Sequence, residues 1–238
     1  MIRQLTLDLP VRAAHGRDDF FAAPSNADAL TAIEGWRNWP DKRMLLVGPK
    51  GSGKSHLVQV WAEACPAARS LAATDLPGTD IPTLAAGPLA VEDCGALAGD
   101  LVGETALFHL YNLMGAQGQT LLLTAEQGPG LWPTVLPDLA SRLQAMPVAR
   151  LDPPCDALLS AVLVKLFADR QIAVAPTLIA WLLPRIERSL LAAATVVARL
   201  DAAALAAGRA VTVPLAAQVL DTAGTDGQDG TPKRPGAP

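Results

Sequence analysis

The sequence predicts an α/β fold, a parallel sheet covered by helices on both faces, followed by a smaller all-helical unit. Three observations lead there. Short apolar runs alternate with helical stretches as far as residue 151, one of these units carries a glycine-rich loop between its strand and its helix, and after Asp152-Pro153-Pro154 only helical patterns remain. Composition agrees: hydrophobic residues make up 50% of the 238, while aromatics are only 4%, which favours helix-rich packing over a β-sandwich. A mean hydropathy of +0.27 places most of the chain among folded proteins.

Residues 1–19 read as a flexible N-terminal segment, polar apart from the alternating stretch Gln4-Leu5-Thr6-Leu7-Asp8-Leu9. In the following segment, Ser25 or Asn26 is expected to cap a helix with Ala29, Leu30, Ile33 and Trp36 on one face, ended by Pro40. Strands are expected at 43–47, 69–72, 89–91, 120–124 and 147–151, with a helix after the glycine loop and another over 104–114. The helical unit reads as four helices, 156–168, 177–185, 189–207 and 214–223. The expected division is therefore a P-loop α/β domain over 20–151, a helical domain over 152–222 and a disordered Gly/Pro/Asp-rich tail over 223–238.

Several classes are argued against. Cys65, Cys94 and Cys155 lie far apart without a CxxC or Cys/His spacing, so neither a disulfide framework nor a zinc site is indicated. The N-terminus lacks the apolar stretch of a signal peptide, and no unbroken apolar run reaches the roughly 20 residues of a membrane span. The expectation is a cytoplasmic protein without membrane contact. A net charge of −4 and a pI near 5.3 argue against a surface built mainly to hold nucleic-acid phosphate.

The most specific motif is Gly48-Pro49-Lys50-Gly51-Ser52-Gly53-Lys54-Ser55, which fits G-x-x-x-x-G-K-[ST] at every fixed position. Glycines let the backbone curl so that successive N–H groups form an anion nest, and the following helix adds its unpaired first-turn amides. Lys54 would reach the β/γ-phosphates of a nucleotide, and Ser55 would ligate Mg²⁺. The strand Leu89-Ala90-Val91 ends in Glu92 and Asp93. Glu92 suits the magnesium role and Asp93 the water-orienting position; solvated acids at a strand end are the plainer alternative.

The phosphate loop, the Glu92-Asp93 strand, AGDLVGETALFHLYNLM, TLLLTAEQ and LPDLASRL follow one another in the order found in AAA+ proteins related to the bacterial replication initiator DnaA. The sequence resembles the Hda-type members of that family, regulators that inactivate DnaA after initiation, over about residues 4–221. The resemblance implies an AAA+ P-loop domain with a five-stranded parallel sheet of order 5-1-4-3-2, plus a helical lid closing over ADP or ATP. It also implies residue roles. Phe21 and Asn26 fall in the stretch that covers the adenine, and Thr124 in the region that senses the γ-phosphate. Arg142 matches the arginine finger that projects into a neighbouring subunit's nucleotide. In the lid, Leu191 stands where the family carries its sensing arginine; Arg188, or Arg185, is the nearest substitute.

Gln4, Leu5, Leu7 and Leu9 resemble the sliding-clamp-binding motif that Hda-type proteins carry near the N-terminus; by alternation alone the segment is equally an edge strand. The resemblance therefore implies a nucleotide-bound adaptor with weak or no ATPase activity of its own, tethered to the sliding clamp and stimulating ATP hydrolysis on DnaA through Arg142. A helix-turn-helix domain is not expected after the lid, so direct sequence-specific DNA binding is not expected, and homo-oligomerisation is left open. Two other readings stand beside it: a stand-alone AAA+ ATPase of the helicase-loader or remodeller type, and a non-catalytic factor that recruits DnaA.

Overall fold

The computed structural model describes Arg17 and residues 20–225. The Gln4–Leu9 stretch lies outside the described residues, as does the chain beyond 225.

Five parallel strands form one sheet: β1 (Arg43–Val47), β2 (Arg69–Ala72), β3 (Leu89–Glu92), β4 (Leu121–Ala125) and β5 (Val148–Arg150). Their spatial order is β2-β3-β4-β1-β5, the expected 5-1-4-3-2 read from the other edge. The inner strands β1 and β4 carry apolar runs without alternation, since each face of the sheet is covered: Leu45, Leu46, Leu121, Leu122 and Leu123 have no exposed surface. The register aligns Leu46 with Thr124 and Val47 with Ala125, and Val91 with Leu123. Gly48, Glu92 and the end of β4 therefore emerge together at the carboxyl edge of the sheet, where open α/β folds bind their ligands.

On one face, α1 (Ala27–Glu34) and α2 (Lys54–Ala64) pack around Trp61, which stacks on Trp39 at 6.1 Å. On the other, α3 (Ile81–Ala85), α4 (Leu101–Ala116) and α5 (Pro137–Gln144) enclose Leu107, Leu110, Met114, Leu139 and Leu143. A third core belongs to α6 (Asp156–Asp169), α7 (Pro176–Leu182), α8 (Leu190–Ala207) and α9 (Val213–Thr225), with Phe167, Leu163 and Leu200 fully buried. Helix α8 is long and apolar enough to cross a membrane by length and composition, with a mean hydropathy of 1.7. Two charged residues break it: Arg199 donates to the Val219 carbonyl and Asp201 pairs with Arg170 at 3.6 Å. Its apolar face fills the third core.

Three local expectations need correction. Helix α1 stops at Glu34, because Gly35 already caps it by donating to Ile33 and Thr31, five residues before Pro40; Trp36 starts a separate short turn. Asn26 stands at the N-cap position, yet its side chain caps no α1 amide. It turns back instead, accepting from the Ala23 amide at 2.7 Å and donating to the Phe21 carbonyl at 2.9 Å. Helix α9 also runs on to Thr225, through residues 223–225 that the sequence had assigned to the tail.

The thiols differ in kind. Burial pushes Cys94 up to about 12 and raises Cys65 as well. Cys155, where the chain enters α6, is lowered, chiefly by the Leu158 amide. Only the thiolate alkylates. At pH 8, iodoacetamide should modify Cys155 well before Cys65 and Cys94, as read by peptide mass spectrometry; equal labelling of all three would contradict these environments.

Candidate functional site

Strand β1 delivers the glycine loop to the carboxyl edge of the sheet, where the Gly48 amide donates to the Ala125 carbonyl at 3.1 Å. A side chain has no room at Gly48, since a Cβ there would lie 2.8 Å from Leu151 and from the Ser52 hydroxyl. Gly53, at φ 107°, is the N-cap of α2, so the loop feeds the unpaired amides of that helix's first turn. The buried Ser52 hydroxyl has no hydrogen-bond partner among the described residues. Lys54 curls over the loop and donates to the carbonyls of Gly48 at 2.8 Å and Pro49 at 3.2 Å. Burial lowers its pKa, while Asp93, Glu126 and Glu92 act to raise it. A buried ammonium beside three carboxylates, with an unbonded hydroxyl and a backbone cradle that excludes a Cβ, fits a phosphate chain.

The magnesium candidates meet. Ser55 Oγ donates to Glu92 Oε2 at 2.6 Å, joining the start of α2 to the end of β3. Two oxygen ligands of this kind, one hydroxyl and one carboxylate, suit a hard divalent cation. Asp93 follows in the left-handed region, at φ 59° and ψ 45°, costly for a residue with a Cβ by about 1–2 kcal/mol. Thr124 supports it: the Asp93 amide donates to the Thr124 hydroxyl at 3.0 Å. Thr124 is fully buried and lies behind the cavity wall, holding Asp93 at the front.

A cavity of about 450 Å³ opens beside the loop, a usual size for a small-molecule site. Phe21, His56 and Gln59 line one side, with Phe20 set edge-on to His56 at 5.0 Å. Asn26 does not reach the cavity; its two bonds fold the turn that presents Phe21. Opposite stand Val162, Lys165, Leu166 and Asp169 of α6, and Leu190, Leu191 and Ala194 of α8. Lys165 and Asp169 pair across one turn at 3.2 Å.

The helical unit touches the loop directly. The Leu190 amide donates to the Gly51 carbonyl at 2.7 Å, and Ser189 caps α8 by accepting from the Ala192 amide. Leu191, 53% exposed, faces the cavity from the position where the family resemblance places an arginine. Arg188 is not brought there. It bonds Asp156 at 2.8 Å and the Pro154 carbonyl at 3.4 Å, and so lies against the start of α6. Arg185 lies over the Trp181 ring at 4.2 Å. Arg142 is also outside this cavity. It is exposed on α5, with its guanidinium 5.4 Å from the Phe108 ring centre and 5.8 Å from that of Tyr111.

Sequence reasoning missed Glu126 and the α6 wall. Glu126 follows β4 directly, as Glu92 ends β3, and that parallel was its readable signal. The α6 residues carry no motif; only tertiary packing brings them to the loop.

Gly51 gives a test of the contact between the loop and α8. At φ +72° its Cβ would lie 2.0 Å from Ser189 Oγ. Gly51→Ala should weaken nucleotide binding by on the order of tenfold or more, the scale of a few kcal/mol of steric strain. Gly78→Ala, also at positive φ but with nothing within 4 Å, should leave binding unchanged. Titration with a fluorescent adenine nucleotide distinguishes the two variants.

Residues 156–220 match the family described as Hda, lid domain. Among solved structures, domain III of the Thermotoga maritima replication initiation protein DnaA is similar, with a TM-score of 0.77 and 18% identity over 90% of this chain and 98% of that one. AMPPCP-bound DnaA from Aquifex aeolicus aligns at TM-score 0.64 and 15% identity, over 77% of this chain and 64% of that one. The Thermotoga maritima RuvB Holliday junction branch migration motor aligns at 0.66 and 15%, over 88% and 72%. These likenesses carry the fold, an AAA+ α/β domain followed by a helical lid. Residues 156–220 thus match the Hda lid-domain family, and the chain as a whole shares the fold of DnaA domain III.

Proposed function

We propose that this protein is a negative regulator of replication initiation: a nucleotide-bound adaptor that stimulates ATP hydrolysis on DnaA while tethered to the sliding clamp. One observation supports it most. The chain combines a lidded phosphate cradle of its own with an exposed arginine, Arg142, on a helix outside that cradle. An arginine that cannot serve its own nucleotide is available to another subunit's. Supplied in trans, it neutralises charge on the transferring phosphoryl group, worth about 10³–10⁵ in rate in related NTPases.

Gly48–Ser55 would hold the phosphates of ADP or ATP, with Lys54 at the β-phosphate. Ser55 and Glu92 would hold the Mg²⁺, whose chemistry there is to neutralise phosphate charge. Asp93 would orient water. The lid wall limits turnover by this chain. It offers Leu190 and Leu191 to the phosphate end, and Lys165, its cation in the cavity, is paired with Asp169. Arg188 is turned to Asp156. A site that binds firmly and hydrolyses slowly suits an adaptor. Residues Gln4, Leu5, Leu7 and Leu9 would dock in the apolar groove of the clamp as an extended peptide, keeping the adaptor on replicated DNA.

The alternative of a self-sufficient ATPase draws on the Ser55–Glu92 contact, which is complete within one chain. Phosphate release separates the two readings. ATP-loaded DnaA, with clamp on primed DNA, should release phosphate faster when the intact protein is added. Arg142→Ala and Gln4→Ala should each lose the stimulation, the first for want of the finger and the second for want of the tether. Turnover by this chain alone, without any effect on DnaA, would favour the independent ATPase.

A further inference from the structure

Helix α5, which carries Arg142, starts without a cap of its own: Leu136 stands at the N-cap position and Pro137 lacks an N–H. The missing acceptor comes from another helix. Glu104, on the first turn of α4, is 1% exposed. Its Oε2 accepts from the Leu136 amide at 2.8 Å, and both its oxygens accept from the Val135 amide at 2.9 Å. Oε1 also accepts from the Gly99 amide at 2.8 Å, which fixes the carboxylate to the entry of its own helix. A buried charge is tolerated only when fully bonded, and here three backbone amides satisfy it.

The same face of α4 meets α5 again further along. Glu104, Phe108 and Tyr111 stand at i, i+4 and i+7, one helical stripe. The last two form the aromatic shelf under the Arg142 guanidinium, at 5.4 and 5.8 Å from the ring centres. Between them, Leu139 and Leu143 are buried in the core that α4 shares. Helix α5 is only two turns long, so a shift at its first residues is carried undamped to Arg142.

We infer that Glu104 is a positioning residue for Arg142: it anchors the start of α5 so that the guanidinium on the Phe108–Tyr111 shelf is held at a fixed height for a partner's phosphate. The inference rests on the finger reading of Arg142. Positioning groups are worth much in phosphoryl transfer, where an error near 1 Å costs about 10²-fold.

The test compares the intact protein with Glu104→Gln, Glu104→Asp and Arg142→Ala in the DnaA phosphate-release assay, with amide hydrogen exchange at residues 134–137. Glutamine keeps the shape but replaces one acceptor oxygen with a donor. It should speed exchange at Val135 and Leu136 and lower the maximal stimulated rate by about tenfold or more, with half-saturation by DnaA nearly unchanged. Aspartate keeps the charge one methylene short, and its rate should recover in step with exchange protection. Binding of a fluorescent adenine nucleotide, unaltered in all variants, reports that the chain is folded. A full maximal rate in Glu104→Gln despite faster exchange would overturn the positioning role while leaving the finger intact. Full stimulation by Arg142→Ala would instead remove the finger reading, and this inference with it.

Discussion

The seating of the phosphate loop between the end of β1 and the start of α8 is the constraint from which the site follows. At Gly48 the loop is pressed against Leu151, and at Gly51 against Ser189 and Leu190. Neither position admits a Cβ. The loop is thus curled by packing from both sides. The Leu190–Gly51 bond also fixes α8, and through it α6, at the distance that leaves a cavity of about 450 Å³.

Charge around Lys54 follows from the strand ends. The carboxyl edge gathers Glu92, Asp93 and Glu126 near one buried ammonium. Desolvation acts against the charged lysine and the three acids act for it. The lysine accordingly bonds its own loop's carbonyls at Gly48 and Pro49. A phosphate chain with a divalent cation would answer both excesses. The lid contributes mostly apolar surface to this balance, through Val162, Leu166, Leu190, Leu191 and Ala194.

Much of the fold was legible because its signals are local. Unbroken apolar runs marked the inner strands to within a residue or two, and the spacing of Gly48, Gly53, Lys54 and Ser55 identified the loop outright. The Glu92-Asp93 strand end was read from its carboxylates alone, and Ser55 bonds Glu92 there. What the sequence hid depends on tertiary contact. Asn26 has the composition of a helix cap, but the turn over 20–26 uses its amide first. Thr124 also bonds the Asp93 amide, a contact that no spacing in the sequence announced. Arg188 found Asp156, a partner 32 positions away that no periodicity could indicate.

The two helices α4 and α5 show how the fold separates two tasks. The lidded cradle lies at the carboxyl edge of the sheet, whereas Arg142 shares a hollow with Lys42 and Arg43, where β1 begins. Arg43 there donates to the Tyr111 carbonyl and lies 3.7 Å from that ring's centre, so the shelf beneath Arg142 is held from below as well. Three cations gather at the far edge, offset by the Asp41 carboxylate in the same hollow, by the Gly118 carbonyl that Lys42 bonds and by the two rings of α4. The arrangement gives the chain two separate ends, the lidded cradle at one and the exposed Arg142 at the other, with the sheet between them.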